Sequence, residues 1–229
     1  MPDTTSAPDT ALVVAIDGTS GSGKSSTSRG VAERLGLRYL DTGAMFRAMT
    51  WWMLRQGVDV TDADAVAARC EEPEILVGTD PVSPAILVDG VDVAMPIRGD
   101  EVNAAVSHVA AVPEVRALLL EQQRGVIGGG GIVVEGRDIG SVVWPQAELK
   151  IYLTADAGAR AARRAAEEGG ADHALTRESL LARDRIDSGR TTAPLVLADG
   201  AVHVDTTPHT LDEVIDLVVS LADAAEGRA

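Results

Sequence analysis

The sequence predicts an α/β domain built on a five-stranded parallel sheet flanked by helices, and three features carry that expectation. Short runs of branched apolar residues alternate with segments whose apolar positions recur at helical spacing. A glycine-rich loop separates the first such run from the first helical segment. The chain has 229 residues, 45% hydrophobic and 24% charged, which suits one ordinary domain or one with a small insert.

In order along the chain, Ala11–Asp17 (ALVVAID) ends at a glycine and reads as a strand buried on both faces. A helix runs from the glycine-rich loop to about Leu35. A second short strand at Leu37–Leu40 precedes helical spacing over Ala44–Gln56. Thr61, with Asp64 three residues later, predicts a capping box for a helix reaching about Cys70. From Pro73 to Pro96 the pattern changes to short apolar pieces, with Asp89-Gly90 between two of them, and a small antiparallel hairpin insert is expected. Helices follow at Gly99–Val109 and from Pro113, suited to a first helical position, to about Arg124. Strands at Ile132–Glu135, Leu149–Leu153 and Ala201–Val204 alternate with helices at Ala157–Glu168, Thr176–Ser188 and from a Thr210/Glu213 cap to about Ala224.

Composition excludes several classes. Cys70 is the only cysteine, so neither a disulfide scaffold nor a cysteine-based zinc cluster is available, and a reducing compartment fits. The N-terminal residues MPDTTSAPDT are polar and acidic, unlike a signal peptide, and no apolar run approaches the roughly 18–20 residues of a membrane helix. A cytoplasmic location is expected. The formal net charge of −15 argues against binding a nucleic-acid polymer. Only Lys24 and Lys150 are lysines, and Lys24 falls in the glycine-rich loop.

Gly18, Thr19, Ser20, Gly21, Ser22, Gly23, Lys24 and Ser25 satisfy G-x-x-x-x-G-K-[ST], after a strand and opening a helix. In that context backbone N–H groups turn toward phosphate oxygens and the helix N-terminus adds partial positive charge. Lys24 is then placed to neutralise the β- and γ-phosphates of a nucleoside triphosphate, and the Ser25 hydroxyl to hold Mg²⁺. Guanine-specific switches need Asn-Lys-x-Asp, and the only asparagine, Asn103, precedes alanine.

Asp41-Thr-Gly-Ala-Met-Phe-Arg47, Ser107 through Arg116, Glu135-Gly-Arg-Asp138 and Arg183-Asp-Arg-Ile-Asp-Ser-Gly-Arg190, in this order after the phosphate loop, resemble the bacterial cytidylate kinases over about Val13 to Ala224. The resemblance implies the P-loop nucleoside monophosphate kinase fold, with ATP as donor, Mg²⁺ as cofactor and CMP, with dCMP, as acceptor. The polar residues 1–10 are expected to be a disordered tail, and the resemblance implies a kinase core over 11–60 and 106–229. A short lid near 155–190 and a CMP-binding insert over 61–105 complete the expected organisation. Thr42, Arg47, Arg137 and Arg190 would surround the acceptor phosphate, with Lys24, Arg137 and Arg190 the catalytic cations. Ser107, Arg116 and Asp138 would read cytosine, and Arg183 and Asp187 the sugar. Gly18 to Ser26 and Arg160 would face ATP. Glu135, where some relatives carry aspartate, would act near the metal waters. A monomer acting on small molecules alone, away from membranes, is expected.

The chemistry suits those placements. Guanidinium groups match phosphate oxygens in pairs. A carboxylate accepts from the N4 amino group of cytosine, while an arginine and a hydroxyl donate to N3 and O2. Taken singly the same residues have plainer readings. Arg47 and Arg116 could be exposed helix arginines, and Arg183 to Asp187 surface pairs contributing about 0.3–0.5 kcal/mol each. Met45, Met49, Trp51, Trp52 and Met53 read as packing, the four histidines as structural or exposed, and Cys70 as a small buried hydrophobe. Other acceptors (UMP, AMP or an alcohol) and a slow nucleotide-dependent regulatory module are the alternatives. Acceptor-dependent ADP release separates them.

Overall fold

Buried on both faces, Val13–Gly18 forms β1, the centre of a five-stranded parallel sheet. The structure is a computed structural model that describes residues 11–167, 189 and 195–227. β1 pairs on one side with β6 (Ile132–Gly136), in the register Val13↔Ile132 to Asp17↔Gly136, and on the other with β7 (Leu149–Thr154). β2 (Arg38–Asp41) lies outside β6 and β8 (Val202–Asp205) outside β7, giving the order β2-β6-β1-β7-β8.

Alternation along β1 sorts the two apolar layers. Leu12, Val14 and Ile16 face α1 (Lys24–Leu35) and α7 (Leu211–Ala225), through Val31, Ala32, Val214, Ile215 and Val218. Val13 and Ala15 face α2 (Thr42–Arg55) and α5 (Pro113–Ile127), where Met45, Met49, Met53, Val115 and Leu119 fill the layer. The methionines and Trp52 therefore pack as their spacing predicts, and Cys70 is buried. His203 meets Thr154 and His209 lies near Glu213, both on the surface. Among the described residues no helix is long and apolar enough to cross a membrane.

Helix ends follow local chemistry with one correction. Thr210 and Glu213 form the expected capping box of α7. The short α3 (Ala63–Ala67) is capped by Asp62, whose carboxylate accepts from the N–H groups of Asp64 and Ala65, and not by Thr61. Thr61 is instead bound through its hydroxyl and N–H to Asp59. An aspartate one residue closer to the turn outcompetes the hydroxyl because its charged acceptor binds two donors.

The expected insert is a three-stranded antiparallel sheet of β3 (Ile75–Val77), β4 (Ile86–Val88) and β5 (Val91–Asp92). Asp89 and Gly90 both have positive φ, 50° and 77°, as a two-residue I′ hairpin turn requires. A 3₁₀ turn at Pro96–Arg98 leads into α4 (Asp100–Val109). α6 (Ala157–Glu167) follows β7, and the helix expected at Thr176–Ser188 lies outside the described residues. One departure from expectation is a π-helical turn at Ile139–Val143, directly after β6.

Asp89 does more than turn the hairpin. One carboxylate oxygen accepts the Trp52 indole N–H at 2.9 Å and the other the Glu74 backbone N–H at 2.9 Å. Replacing Asp89 by Ala removes both acceptors and places a Cβ residue without a local partner at positive φ. The expected cost is about 2–3 kcal/mol by chemical denaturation, whereas Asp89→Asn, which tolerates this backbone, costs about 1 kcal/mol or less.

Candidate active site

The C-terminal ends of β1, β2 and β6 open on one cleft of about 800 Å³, lined by residues of the glycine-rich loop, α2, α4, α5 and the turn after β6. This is where open parallel sheets bind ligands, because helix N-termini and strand-end loops converge there. The loop begins at Gly18, whose φ is 152° and whose added Cβ would lie 2.1 Å from the Leu153 carbonyl oxygen, so only glycine fits. At the far end Gly23 is the N-cap of α1 and offers no side-chain cap, leaving the first-turn N–H groups turned to the cleft. Lys24 Nζ donates to the Thr19 carbonyl at 2.7 Å, folding the ammonium back over the loop.

Two further strand ends supply the opposite wall. Asp41 caps α2 by accepting from Ala44 N–H at 2.9 Å, and Thr42 Oγ1 donates to the Glu135 carbonyl at 2.7 Å. One turn on, Arg47 Nη1 donates to the Ile97 carbonyl at 3.0 Å and to Asn103 Oδ1 at 2.6 Å. After β6, the Arg137 guanidinium donates to the Gly18 carbonyl, which joins this wall to the start of the loop. Arg116 and Asp138 form a buried ion pair; Arg116 also donates to the Ala110 carbonyl at 3.1 Å and lies 5.4 Å from the Phe46 ring centroid. Ser107, on α4, is buried and lines the same end.

Beneath the cleft lie two buried carboxylates. Glu135 is 3% exposed; it accepts from Ser25 Oγ at 3.0 Å on one oxygen and from the Tyr39 hydroxyl on the other. Burial, with Asp41 adding repulsion, pushes its carboxyl up to about 7 against the pull of Lys24. Burial and the Glu135 charge likewise raise the Tyr39 phenol. Asp17, also 3% exposed, is pushed by burial to about 6, although its two oxygens accept from the N–H groups of Ile139 and Gly140, each at 2.8 Å.

Thr42, Arg47, Ser107, Arg116, Arg137 and Asp138 thus share the cleft with Ser20, Gly21, Gly23, Lys24, Ser25 and Ser26. Arg160 is buried behind the loop, with Nη1 donating to the Ser20 carbonyl at 3.0 Å. Arg163 ties the segment after β8 to the loop: it donates to the Thr206 hydroxyl and carbonyl, both at 2.8 Å, and to the Ser22 carbonyl at 3.5 Å. Arg183, Asp187 and Arg190 lie outside the described residues. Asp17, Tyr39 and Asn103 join the site without belonging to any of the motifs. The signal for Asp17 was a charge ending an otherwise apolar strand; none marked the other two.

Residues 14–224 match the family model for cytidylate kinase. The chain belongs to the cytidylate kinase family. A cytidylate kinase of Streptomyces avermitilis is 59% identical over 215 residues, 93% of each chain, and one of Corynebacterium glutamicum is 45% identical over 223 residues, 95% of this chain and 97% of that one. As a member of the cytidylate kinase family the chain is a phosphotransferase with the P-loop nucleoside monophosphate kinase fold. At the level of fold alone it resembles a crystal structure of an uncharacterized protein from Eubacterium ventriosum, with a TM-score of 0.53 and 10% identity over 93% of this chain and 99% of that one.

The two buried carboxylates have a consequence for this cytidylate kinase family member. Both folded values lie above the ordinary ones, so the fold favours the protonated forms, and stability contributed by these groups grows as pH falls through about 7 and 6. In nucleotide- and metal-free protein at constant ionic strength, lowering pH from 7.5 to 5.5 is expected to raise the melting temperature by several degrees, about 1–3 kcal/mol. Glu135→Gln is expected to flatten that rise; a melting temperature that falls over this range would contradict it.

Proposed function

We propose that the chain transfers the γ-phosphoryl group of ATP to CMP, and to dCMP, giving ADP and the corresponding diphosphate in pyrimidine nucleotide metabolism. The observation that carries the reading is a single cleft with the phosphate loop at one end and the Arg116–Asp138 pair beside Ser107 at the other, with Arg137 between them. Donor and acceptor are held end to end by that arrangement.

The acceptor is a phosphate oxygen, already anionic at pH 7, so no general base is required. What this chain supplies is alignment and charge. Backbone N–H groups of residues 18–25 and the N-terminus of α1 hold the donor phosphates, and Lys24 exchanges its Thr19 carbonyl for phosphate oxygens. Arg137 lies between the two phosphates, and Thr42 and Arg47 hold the acceptor phosphate with Arg190. Asp138 accepts from N4 of cytosine, Arg116 and Ser107 donate to N3 and O2, and Arg183 and Asp187 bind the sugar. Arg160 acts from behind the loop.

Ser25 fits a magnesium ion: its hydroxyl is a hard oxygen donor beside the Glu135 carboxylate, and no cluster of three or more His, Cys, Asp or Glu among the described residues offers an all-protein cage. A bound ion would supply charge neutralisation at the donor phosphates. Ser25 would ligate it and Glu135 would orient its waters. The segment 61–105 forms the acceptor lobe and 155–190 the lid. The enzyme acts as a cytoplasmic monomer on small molecules.

Coupled ADP release across CMP, dCMP, UMP and AMP tests the reading. CMP is expected to exceed UMP by at least about tenfold in kcat/KM, because O4 of uracil would meet the Asp138 carboxylate and lose a charged hydrogen bond of about 1.5–3 kcal/mol. ADP release indifferent to acceptor, or a preference for AMP, would sink it. Lys24→Ala and Arg137→Ala are each expected to lower turnover at least about a hundredfold with the fold intact by circular dichroism.

A further inference from the structure

We propose that Asp17 is a positioning residue for the acceptor: its carboxylate clamps the N–H groups of Ile139 and Gly140 so that the Asp138 side chain stays turned toward Arg116 at the base end of the cleft. The inference rests on the reading of the cleft given above, and no role beyond the sheet would otherwise be expected of this residue.

The chain leaves β6 at Gly136, passes Arg137 and Asp138, and enters the π-helical turn Ile139–Val143. The opening N–H groups of such a turn lack partners within it. An aspartate at the N-cap ordinarily supplies the acceptor. Asp138 occupies that position with φ −146° and ψ 26°, yet its side chain caps nothing in the turn. It is turned instead to Arg116. The cap comes from another strand: one oxygen of Asp17 accepts from Ile139 N–H and the other from Gly140 N–H, both at 2.8 Å. The parallel register Asp17↔Gly136 brings that carboxylate to the turn.

A neutral cap would do less. Two donors converge on one side chain, and only an ionised carboxylate offers an oxygen to each. An amide at position 17 keeps one acceptor and turns an NH₂ toward the other N–H. Asp138 would then be drawn back to cap its own turn, away from Arg116. The next residue, Gly18, accepts from Arg137, so Asp17–Gly18 holds both chain neighbours of Asp138, Arg137 and Ile139. The charged groups acting on Asp17 are Asp138, which disfavours its ionisation, and Lys24 across the loop, which favours it. From the sheet its register neighbours are Gly136, without a side chain, and Tyr152. Burial raises its carboxyl to about 6, so the clamp weakens as pH falls past that value.

Steady-state kinetics of the full chain and of Asp17→Asn test this. The expected result is a KM for CMP at least about tenfold higher, with KM for ATP changed less than twofold. The wild type should also show an ionisation near pH 6 in kcat/KM for CMP that Asp17→Asn lacks. Comparing the two removes the titration of the CMP phosphate, which also falls near 6. Equal rises in both KM values, or none, overturn the inference while leaving the kinase reading intact. Wild type without CMP-dependent ADP release overturns both. Should the variant fail to fold, amide exchange in the wild type decides: protection of Ile139 and Gly140 relative to that of Ala15, corrected for intrinsic rates, should fall at least threefold between pH 7.5 and 5.5. A constant ratio refutes the clamp.

Discussion

The parallel pairing of β1 with β6 is the constraint on which the site depends. Five register pairs between Val13–Asp17 and Ile132–Gly136 place the start of the glycine-rich loop beside the turn that carries Arg137 and Asp138. Backbone hydrogen bonds of a buried ladder are the least adjustable part of a fold, since a slip of one residue would turn every side chain to the opposite face. The two halves of the cleft are therefore set against each other by the sheet, and side chains only refine the spacing. The Arg137 contact to the Gly18 carbonyl and the Asp17 contacts to the π-helical turn both cross this seam.

The same seam concentrates charge that the fold would not otherwise tolerate. Asp17 and Glu135 lie one register step apart across the ladder, on opposite faces of the sheet, and both are held above their ordinary titration range by burial. Ionising them in place costs stability. The cost is offset by the apolar layers above and below the sheet, where branched side chains and methionines are fully buried. An acidic chain of net charge −15 thus keeps Lys24, Arg47, Arg116 and Arg137 around one cavity. Local convergence of strand ends, and not overall charge, produces that field.

Sequence and structure agree where one physical rule dominates. The five strands were legible because β-branched runs between glycines and helices have few other uses, and the hairpin because Asp89-Gly90 suits positive φ at both positions. The glycine-rich loop was legible as a complete motif, and the cleft residues from Thr42 to Asp138 through their likeness to one family. What was not legible depends on contacts distant in the chain. Asp62 displaced Thr61 as a cap through competition between adjacent side chains, which spacing alone does not rank. The Asn103 contact to Arg47 spans 56 residues, and those of Asp17 span more than 120. A strand ending in aspartate signals a buried charge but not its partner.

The apolar cluster on the α2 side of the sheet runs without a break from Val13 and Ala15 to Ile75, Ile86, Val88, Val93 and Ile97. The antiparallel excursion is therefore moulded onto the same interior as the sheet, with Trp52 and the methionines of α2 as the shared surface. A graft of a differently shaped excursion from a distant kinase, spliced at its two ends, would meet the wrong relief. Its facing positions on α2 would have to travel with it, so substitutions in these two stretches are bound to change together during divergence.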